Sequence, residues 1–329
     1  MGAMPLPERE LIAQVRRLVN GNKHRLNPAV LAGIGDDCAV LRIGGAWDTL
    51  VTTDFSLEGM HFRRDWHSAD SIGHRCLARG LSDVAAMGGE PLAAFLSLAL
   101  PGDVPQAWVR SFYGGLLRLA KRHRVTLAGG DTAQSPERIL ADIVVVGRVP
   151  KGKAILRSGA RPGDRIFVSG ALGQSAAALR ELRLSGRGQA SERLFPRHFY
   201  PEPRSALGRA LRERKLATAM IDTSDGVSVD LRHICEESGV GAEIDAARIP
   251  RARVEKPAQV VPLDLALHGG EDYELLFTVS RDKRVPAILA KTPLVEIGHV
   301  TRRRNILVRD EEGRTSELTP RGWEHFHRG

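Results

Sequence analysis

Residues 81–88 read Leu-Ser-Asp-Val-Ala-Ala-Met-Gly and close a longer segment, 69–87, in which apolar side chains recur at helical spacing. Gly88-Gly89 predicts the end of that helix, and an apolar run at 92–100 predicts a buried strand after it. Asp83 is therefore predicted to project from a helix that stands in an alternating pattern of helices and strands.

Five further segments place acidic side chains beside glycine or in tight polar turns. They are Gly33-Ile34-Gly35-Asp36-Asp37-Cys38, Thr52-Thr53-Asp54, Gly129-Gly130-Asp131-Thr132, Ile221-Asp222-Thr223-Ser224-Asp225-Gly226 and Gly269-Gly270-Glu271-Asp272-Tyr273-Glu274-Leu275. If these segments meet, two carboxylates ~4 Å apart repel by about 4 kcal/mol at an effective dielectric of ~20. Mg2+ would relieve that repulsion, and it binds carboxylates together with substrate phosphates. The set predicts phosphate chemistry, although each acid alone is more typical of a turn or a helix N-cap.

The rest of the chain alternates helical and strand patterns, which is typical of α/β domains. Further helices are predicted at 7–20, 105–123, 173–184, 204–214 and 226–238. Further strands are predicted at 38–43, 49–53, 124–128, 139–149, 165–169, 217–222, 241–245, 273–279 and 293–300. Asp54 and Asp131 would then lie at strand ends. A turn-rich change of composition at 150–165 predicts domains at 1–150 and 151–329, and the polar stretch 185–203 is interpreted as a mobile connection.

Composition excludes several classes of protein. The 329 residues, 42% of them hydrophobic, fit about two globular domains, and no apolar run approaches the ~20 residues of a membrane span. Three widely spaced cysteines without a Cys-x-x-Cys pair favour a reducing cytoplasm. The net charge of +9 is dispersed and only 5% of residues are aromatic, which disfavours nucleic-acid binding. The charge is equally compatible with a small anionic substrate.

Common phosphate-binding patterns are absent. The sequence lacks Gly-x-x-x-x-Gly-Lys-[Ser/Thr], and Gly33-Ile34-Gly35 lacks the third glycine of a dinucleotide fingerprint. A bound nucleotide would instead need metal ions and an arginine clamp, for which Arg157 is the first candidate.

Three single residues allow two interpretations each. His61 is compatible with a substrate contact or a surface position, and Trp323 with ring stacking or a tail anchor. Tyr113 is more typical of helix packing than of base stacking.

Taken in order along nearly the whole chain, the six acidic segments resemble those of thiamine-monophosphate kinases. That family shares a superfamily with aminoimidazole ribonucleotide synthetase, selenophosphate synthetase and a hydrogenase maturation factor, and its members are typically ATP-using dimers. The resemblance implies an N-terminal α/β domain whose strands join a partner's in a dimeric barrel-like core, followed by a C-terminal α/β domain. It also implies a cytoplasmic homodimer that converts ATP and thiamine monophosphate into ADP and thiamine diphosphate.

The resemblance further implies roles for individual residues. The expected ligands of several Mg2+ ions are Asp37, Thr52, Thr53, Asp54, Asp83, Asp131, Asp222 and Asp225. The expected contacts to ATP are Tyr113, Gly130, Asp131, Arg157 and Ser224. The expected contacts to thiamine monophosphate are His61, Glu271 and Trp323. Asp36 and Asp272 would shape loops, and no covalent nucleophile is implied, because the substrate's own phosphate is ionised above its second pKa of ~6 and can attack directly.

Several alternatives remain at this point. Aminoimidazole ribonucleotide synthetase is the main enzyme alternative, and a metal-dependent hydrolase would carry similar acids. Selenophosphate synthetase is disfavoured because no cysteine precedes Gly33, and the hydrogenase maturation factor because the sequence ends His327-Arg328-Gly329 without a cysteine. A basic RNA-binding protein would show steep salt dependence and no metal requirement.

Overall fold

The structure is a computed structural model that describes residues 6–21, 27–186, 192–255, 258–310 and 312–322. These ranges form two main sheets, each with helices packed against it. The first sheet ends at Pro150 and the second begins at Arg165. The predicted mixed α/β class is confirmed, while the domain limits 1–150 and 151–329 stay a prediction.

The first sheet has six strands in the order β1-β2-β3-β6-β4-β5, and its β4–β5 pair is parallel. The strands are β1 (Val30–Ala32), β2 (Ala39–Gly44), β3 (Trp47–Leu57), β4 (Glu90–Leu100), β5 (Thr126–Gln134) and β6 (Leu140–Pro150). The helices of this part are α1 (Glu8–Gly21), α2 (Ala69–Ala86) and α3 (Gln106–His123). Helix α2 packs against β3, β6 and α3, so the core of this domain lies between the helices and one face of the sheet.

Helix α2 is the element that joins the two domains. Ser68 begins it as an N-cap whose hydroxyl accepts a hydrogen bond from the Ser71 amide at 3.2 Å. Gly73 allows close packing, since a Cβ there would lie 1.9 Å from the backbone oxygen of Phe112 in α3. The helix also contacts β8 and α6 of the second domain. Asp83, near its end, is therefore held on a buried helix at the domain junction.

The second main sheet has the order β16-β15-β9-β14-β7-β12-β8, with β13 paired to β14, while β10 and β11 pair separately. The strands are β7 (Arg165–Ser169), β8 (Ala217–Asp222), β9 (Gly241–Asp245), β10 (Arg253–Glu255), β11 (Ala258–Val260), β12 (Leu275–Val279), β13 (Ile288–Leu289), β14 (Thr292–Thr301), β15 (Ile306–Arg309) and β16 (Thr315–Glu317). The helices are α4 (Gln174–Ser185), α5 (Pro196–Phe199), α6 (Ser205–Glu213), α7 (Val227–Ser238) and α8 (Leu263–His268). Asp222 ends β8, and Asp225 lies in the short loop before α7.

Two predicted strand ends are wrong. Asp54 lies inside β3, because β3 pairs with β6 along its whole length from Trp47 to Leu57. Asp131 lies inside β5, which continues to Gln134 because its parallel partner β4 supplies hydrogen bonds beyond Gly129. The end of the β-like run before Asp54 and the glycines before Asp131 were therefore overridden by pairing with a neighbouring strand.

In the stretch 185–203, interpreted as a mobile connection, residues 185–186 and 192–203 are described, and the second of these ranges contains a short helix, while the mobility stays a prediction. Residues Pro196–Phe199 form the short helix α5, and Phe195 and Phe199 are buried against α4. Burial of these two aromatic side chains favours an ordered conformation, a contribution that the prolines and polar residues around them concealed in the sequence.

The first sheet stays open within one chain, and no barrel closes among the described residues. Its face opposite α2 carries Phe55 and Phe95, which are 56% and 39% exposed. The barrel-like core implied by the resemblance would therefore need strands from a second chain. No helix in the described ranges is long and apolar enough to cross a membrane.

Candidate active site

Three carboxylates, Asp37, Asp83 and Asp222, meet at the domain junction, and we call them the carboxylate group. One oxygen of each lies within 4.8 Å of the others. Asp37 comes from the loop before β2, Asp83 from α2 and Asp222 from the end of β8. Because three like charges repel at this distance, the arrangement favours a cation between them.

Asp83 and Asp222 are oriented by hydroxyl groups. Thr52, which points inward from β3, donates a hydrogen bond to Asp83 Oδ2. Ser82, one residue before Asp83 on α2, donates to Asp222 Oδ2 at 2.5 Å. A carboxylate has about four lone-pair sites, so each acid keeps acceptor capacity for a further ligand.

Arg157 organises the third acid. Its Nη2 donates to Asp37 Oδ1 at 2.7 Å, and its backbone N–H faces both carboxylate oxygens of Asp36 at 3.3 Å. Asp37 Oδ2 is buried and has no hydrogen-bond partner in the described part of the chain. Arg157 thus contacts both Asp36 and Asp37, its role as a nucleotide clamp stays a prediction, and Asp37 keeps one oxygen for a ligand.

The pKa values of these acids reflect burial and mutual repulsion. Burial, followed by the charge of Asp222, raises the pKa of Asp83 well above its usual range. Burial and Asp37 raise the pKa of Asp222 to about 7, and burial and Glu8 raise that of Asp225 to about 6. A cation bound between these carboxyl groups would lower their pKa values and favour the ionised forms. Because the donors are all hard oxygens, the carboxylate group fits Mg2+.

Magnesium ions are expected to raise the unfolding temperature more at pH 8 than at pH 6. Asp222 has an ordinary pKa of 3.8 and a folded pKa of about 7, so the metal-free fold loses stability as the pH rises between these values. At pH 6 the ion must displace a proton, whereas at pH 8 it meets an ionised acid. We expect a difference of about 2 °C or more between the two magnesium-induced shifts, or roughly 1 kcal/mol.

Thermal unfolding with Mg2+ or with EDTA at each pH checks this prediction. Comparing the two conditions at the same pH cancels the contribution of buried histidines. An equal magnesium-induced shift at pH 6 and pH 8 would contradict it.

A second charged cluster lies next to the carboxylate group and joins α2 to the loop before β12. Arg75 Nη2 donates to Glu271 Oε2 at 2.8 Å, and Arg79 Nη1 donates to Glu271 Oε1 at 3.3 Å. Arg79 Nε lies 2.9 Å from Asp54 Oδ2. Although burial alone would raise it, the two arginines bring the pKa of Glu271 to about 2. In this structure Asp54 is therefore paired with Arg79 and stands outside the carboxylate group.

The loop that carries Glu271 is tied to the loop that carries Asp222 and Asp225. The Glu271 amide donates to the Ser224 carbonyl at 2.8 Å. Gly270 is required by this approach, because a Cβ there would lie 2.4 Å from the Ser224 carbonyl oxygen. Glu271 itself has a φ of 63°, which is uncommon for a residue with a side chain and typical of functional loops. The two acidic segments are therefore in direct backbone contact.

The residues predicted to contact thiamine monophosphate are partly brought together. His61 lines a small cavity with Arg75 and Arg79, the two arginines that hold Glu271. The Leu57 amide donates to His61 Nδ1 at 3.0 Å, which orients the ring. Trp323 lies outside the described residues.

Three predicted site residues do not contact the carboxylate group in the described chain. Thr53 points to the open face of the sheet, where its hydroxyl donates to Asp142 at 2.7 Å. Asp131 lies on that same face, since it pairs in register with the exposed Ser97. Tyr113 is half-buried on α3 beside Phe112, with ring centroids 5.7 Å apart. The roles implied for these three residues stay predictions.

The structure also gives the positions of the remaining predicted site residues, Gly130, Ser224 and Asp225. Gly130 has a φ of 146°, and a Cβ there would lie 1.9 Å from the Leu96 carbonyl oxygen, so β5 requires glycine here. Ser224 accepts from Glu271 through its backbone, and Asp225 lies near enough to Asp222 to raise its pKa.

Sequence reasoning missed four polar residues of this region. Ser82 was hidden by its ordinary helical position, whereas Arg79 and Arg75 stand four and eight residues before Asp83, respectively, on one helix face. That spacing was readable in the sequence. The fourth is Asp230 of α7, a fully buried acid with neither carboxylate oxygen hydrogen-bonded in the described residues. Burial, then Asp225 and Asp222, raise its pKa well above the usual range.

Comparisons with known proteins agree with this fold and site. The family model described as "AIR synthase related protein, N-terminal domain" matches residues 35–149, and that described as "AIR synthase related protein, C-terminal domain" matches residues 161–311. The two-domain fold with its junctional carboxylates is thus that of an AIR synthase-related protein.

Within this class, the chain is 41% identical over 305 residues to "Thiamine-monophosphate kinase" of Escherichia coli K12, covering 89% of this chain and 91% of that protein. It is 35% identical over 309 residues to the protein of that name in Bacillus subtilis, covering 91% and 94%. The solved structure of AaThiL complexed with AMPPCP and TMP superposes with a TM-score of 0.85 at 32% identity, covering 99% of this chain and 100% of that one. The chain belongs to the thiamine-monophosphate kinase family.

Proposed function

We propose that this protein transfers the γ-phosphoryl group of ATP to thiamine monophosphate, giving ADP and thiamine diphosphate. The observation that carries the proposal is the carboxylate group at the end of α2, with Glu271 bound by two arginines of the same helix. The first feature suits a metal-bound nucleotide and the second suits a phosphorylated acceptor. The relatives named thiamine-monophosphate kinase, and a neighbour that holds both AMPPCP and TMP, support the same reaction.

The proposed metal ligands are those that the family resemblance implies: the carboxylate group holds Mg2+ together with Thr52, Thr53, Asp54, Asp131 and Asp225. When bound, Mg2+ neutralises phosphate charge and aligns the reacting groups. Arg157 is the proposed clamp for an anionic oxygen of the nucleotide, and its hydrogen bond to Asp37 supports this role by holding the guanidinium beside the carboxylate group. Tyr113, Gly130, Asp131 and Ser224 are the other proposed ATP contacts.

On the acceptor side, His61, Glu271 and Trp323 are the proposed contacts. Glu271 stays ionised, since its pKa is about 2, and a fixed negative charge complements the positively charged thiazolium ring of thiamine. We propose direct in-line transfer, in which a phosphate oxygen of the acceptor attacks the γ-phosphorus. A phosphate monoester is largely ionised above its second pKa of ~6, so the chain needs no strong general base.

The proposed activity is tested by a coupled assay for ADP. Release of ADP should require both thiamine monophosphate and Mg2+, and thiamine diphosphate should be the second product by chromatography. Incubation with labelled ATP alone should leave no phosphate on the protein, as direct transfer requires. Folded protein that produces no ADP with thiamine monophosphate, or that uses the aminoimidazole ribonucleotide precursor instead, would overturn the proposal.

We further propose that the protein acts as a homodimer through the open face of the first sheet. Phe55 and Phe95 are exposed there, beside Val144 in the same sheet, and β5 presents a strand edge that is unpaired among the described residues. Exposed apolar side chains clustered on one face favour an interface, and an unpaired edge can accept another strand. Dimerisation would also cover Asp131, which lies on this face.

Phe95→Glu is expected to convert the dimer into a monomer, because it places a charge within the apolar patch. Sedimentation should give twice the mass of one chain for the unchanged protein and the single mass for the variant. Leu184→Glu is the matched control, since Leu184 on α4 is 75% exposed and lies away from the sheet. A monomeric unchanged protein, or a dimeric Phe95→Glu variant, would contradict this interface.

We also propose that the protein acts in the cytoplasm. Its three cysteines, Cys38, Cys76 and Cys235, are free and buried, which is typical of a reducing compartment. Cell fractionation should place the protein with cytosolic markers, and recovery in another fraction would contradict this assignment.

A further inference from the structure

A small cavity lies between β3, the turn that carries His61, and α2. Its lining consists of Ser56, His61, Phe62, Ile72, Arg75 and Arg79. Two guanidinium groups and an imidazole face this space, while Phe62 and Ile72 close its apolar side. We propose that Arg79, with Arg75 and His61, forms the binding subsite for the phosphate group of the acceptor substrate. This inference rests on the proposed function.

Arg79 has hydrogen-bond donors to spare. A guanidinium carries five N–H donors, yet within the described ranges Arg79 makes one directed side-chain hydrogen bond, to Glu271 Oε1 at 3.3 Å. Its Nε lies 2.9 Å from Asp54 Oδ2, but that N–H is not directed at an acceptor. The side chain is 15% exposed, so the guanidinium is close to the surface of the site. Arginine in this state is suited to bidentate contact with phosphate.

Arg75 is the fixed part of the subsite. It bonds Glu271 Oε2 at 2.8 Å and also donates to the backbone oxygen of His198, and its side chain is only 5% exposed. Arg75 therefore keeps Glu271 in place when Arg79 turns towards a ligand. His61 Nδ1 accepts from the Leu57 amide at 3.0 Å, which fixes the orientation of the imidazole in the wall of the cavity.

Charge balance links the subsite to the metal site. Asp54, Glu271, Arg75 and Arg79 sum to zero formal charge in the present structure. Once Asp54 holds a cation, as proposed above, its charge no longer neutralises Arg79, and the guanidinium is available to a doubly negative phosphate. Binding at Asp54 and binding at Arg79 should then strengthen each other, because each supplies the opposite charge that the other lacks.

Arg79→Gln tests the subsite by calorimetric titration in the presence of Mg2+ and AMPPCP. Thiamine monophosphate and unphosphorylated thiamine are compared, since they differ only in the phosphate. We expect the dissociation constant of thiamine monophosphate to rise at least about tenfold, the equivalent of 1.4 kcal/mol, and that of thiamine to change less than about twofold. Mg2+ and AMPPCP should also increase the affinity for thiamine monophosphate less in Arg79→Gln than in the unchanged protein.

Two further variants separate phosphate binding from a structural role. Arg79→Lys keeps the charge and should recover part of the lost affinity. Arg118→Gln is the matched control, because Arg118 is an exposed arginine that pairs with Asp70 on the outside of α2, and both ligands should bind it normally. Equal weakening of both ligands by Arg79→Gln, or no weakening at all, would overturn the subsite.

The two proposals fail in distinguishable ways. If the unchanged protein phosphorylates thiamine monophosphate and Arg79→Gln binds it normally, the subsite is wrong and the proposed function stands. If the unchanged protein neither binds nor phosphorylates thiamine monophosphate, both are wrong.

Discussion

Asp83→Asn is expected to lower kcat by about a thousandfold or more while the protein stays folded. Asparagine keeps the size of the side chain and still accepts from Thr52, but it removes the charge at the centre of the carboxylate group. A thousandfold loss corresponds to about 4 kcal/mol of transition-state stabilisation, a magnitude that loss of a charged group from a preorganised site can account for. The ADP assay at saturating ATP measures it.

Asp83→Asn should also change the response to metal. Removing one of three repelling acids should leave the metal-free protein as stable as before, or more stable, because burial and repulsion already disfavour its charge. The magnesium-induced rise in unfolding temperature should shrink. Asp103→Asn is the control, since Asp103 is an exposed acid far from the carboxylate group, and it should behave as the unchanged protein. Near-normal turnover by Asp83→Asn would remove Asp83 from the metal site.

Gly226→Ala is expected to lower the unfolding temperature by roughly 5 °C and turnover by about a hundredfold. Gly226 has a φ of 105°, and a Cβ there would lie 2.8 Å from the carbonyl carbon of His268 and 3.0 Å from the Gly269 oxygen. Backbone strain of this kind costs about 1–3 kcal/mol, and a domain of this size loses about 2–4 °C for each kcal/mol. To make room for the new Cβ, the loop that carries Asp222 and Asp225 must move away from the loop that carries Glu271. Misplacement by about 1 Å is enough for a hundredfold loss of rate.

Thermal unfolding and the ADP assay check both effects of Gly226→Ala. Gly152→Ala is the matched control, because Gly152 also has a positive φ, of 68°, but a Cβ there would meet nothing within 4 Å. The control should lose some stability and no activity. If Gly226→Ala and Gly152→Ala lose activity equally, contact between the two acidic loops is not what positions the site.

The order of the acidic segments was sufficient to predict the family and the α/β class. Apolar spacing over 69–87 predicted α2 within about one residue at its end, because that helix is periodic and is closed by glycine. Strand limits were less predictable. The local sequence predicts strand ends at Asp54, where a β-like run stops, and at Asp131, after two glycines. Both strands continue because β6 and β4 supply hydrogen-bond partners from other parts of the sequence.

The candidate site shows the same division. Asp37, Asp83, Asp222, Arg157 and Glu271 could be named from their motifs, since glycine and small polar residues around an acid are local features. The sequence could not predict which of these residues contact one another, because those contacts depend on how α2 crosses the domain junction. Thr52 and Thr53 are adjacent in sequence, yet alternation along β3 sends Thr52 to Asp83 and Thr53 to the opposite face.

By itself, then, the sequence determined the fold class, the family and the set of acids available for metal binding. Only the tertiary structure decided that Asp37, Asp83 and Asp222 form one group, that Asp54 pairs with Arg79, and that the first sheet leaves an aromatic face open. The physical reason is that helix and turn preferences act over a few residues. Electrostatic pairing and packing instead depend on distances between residues more than a hundred positions apart, such as Ser82 and Asp222.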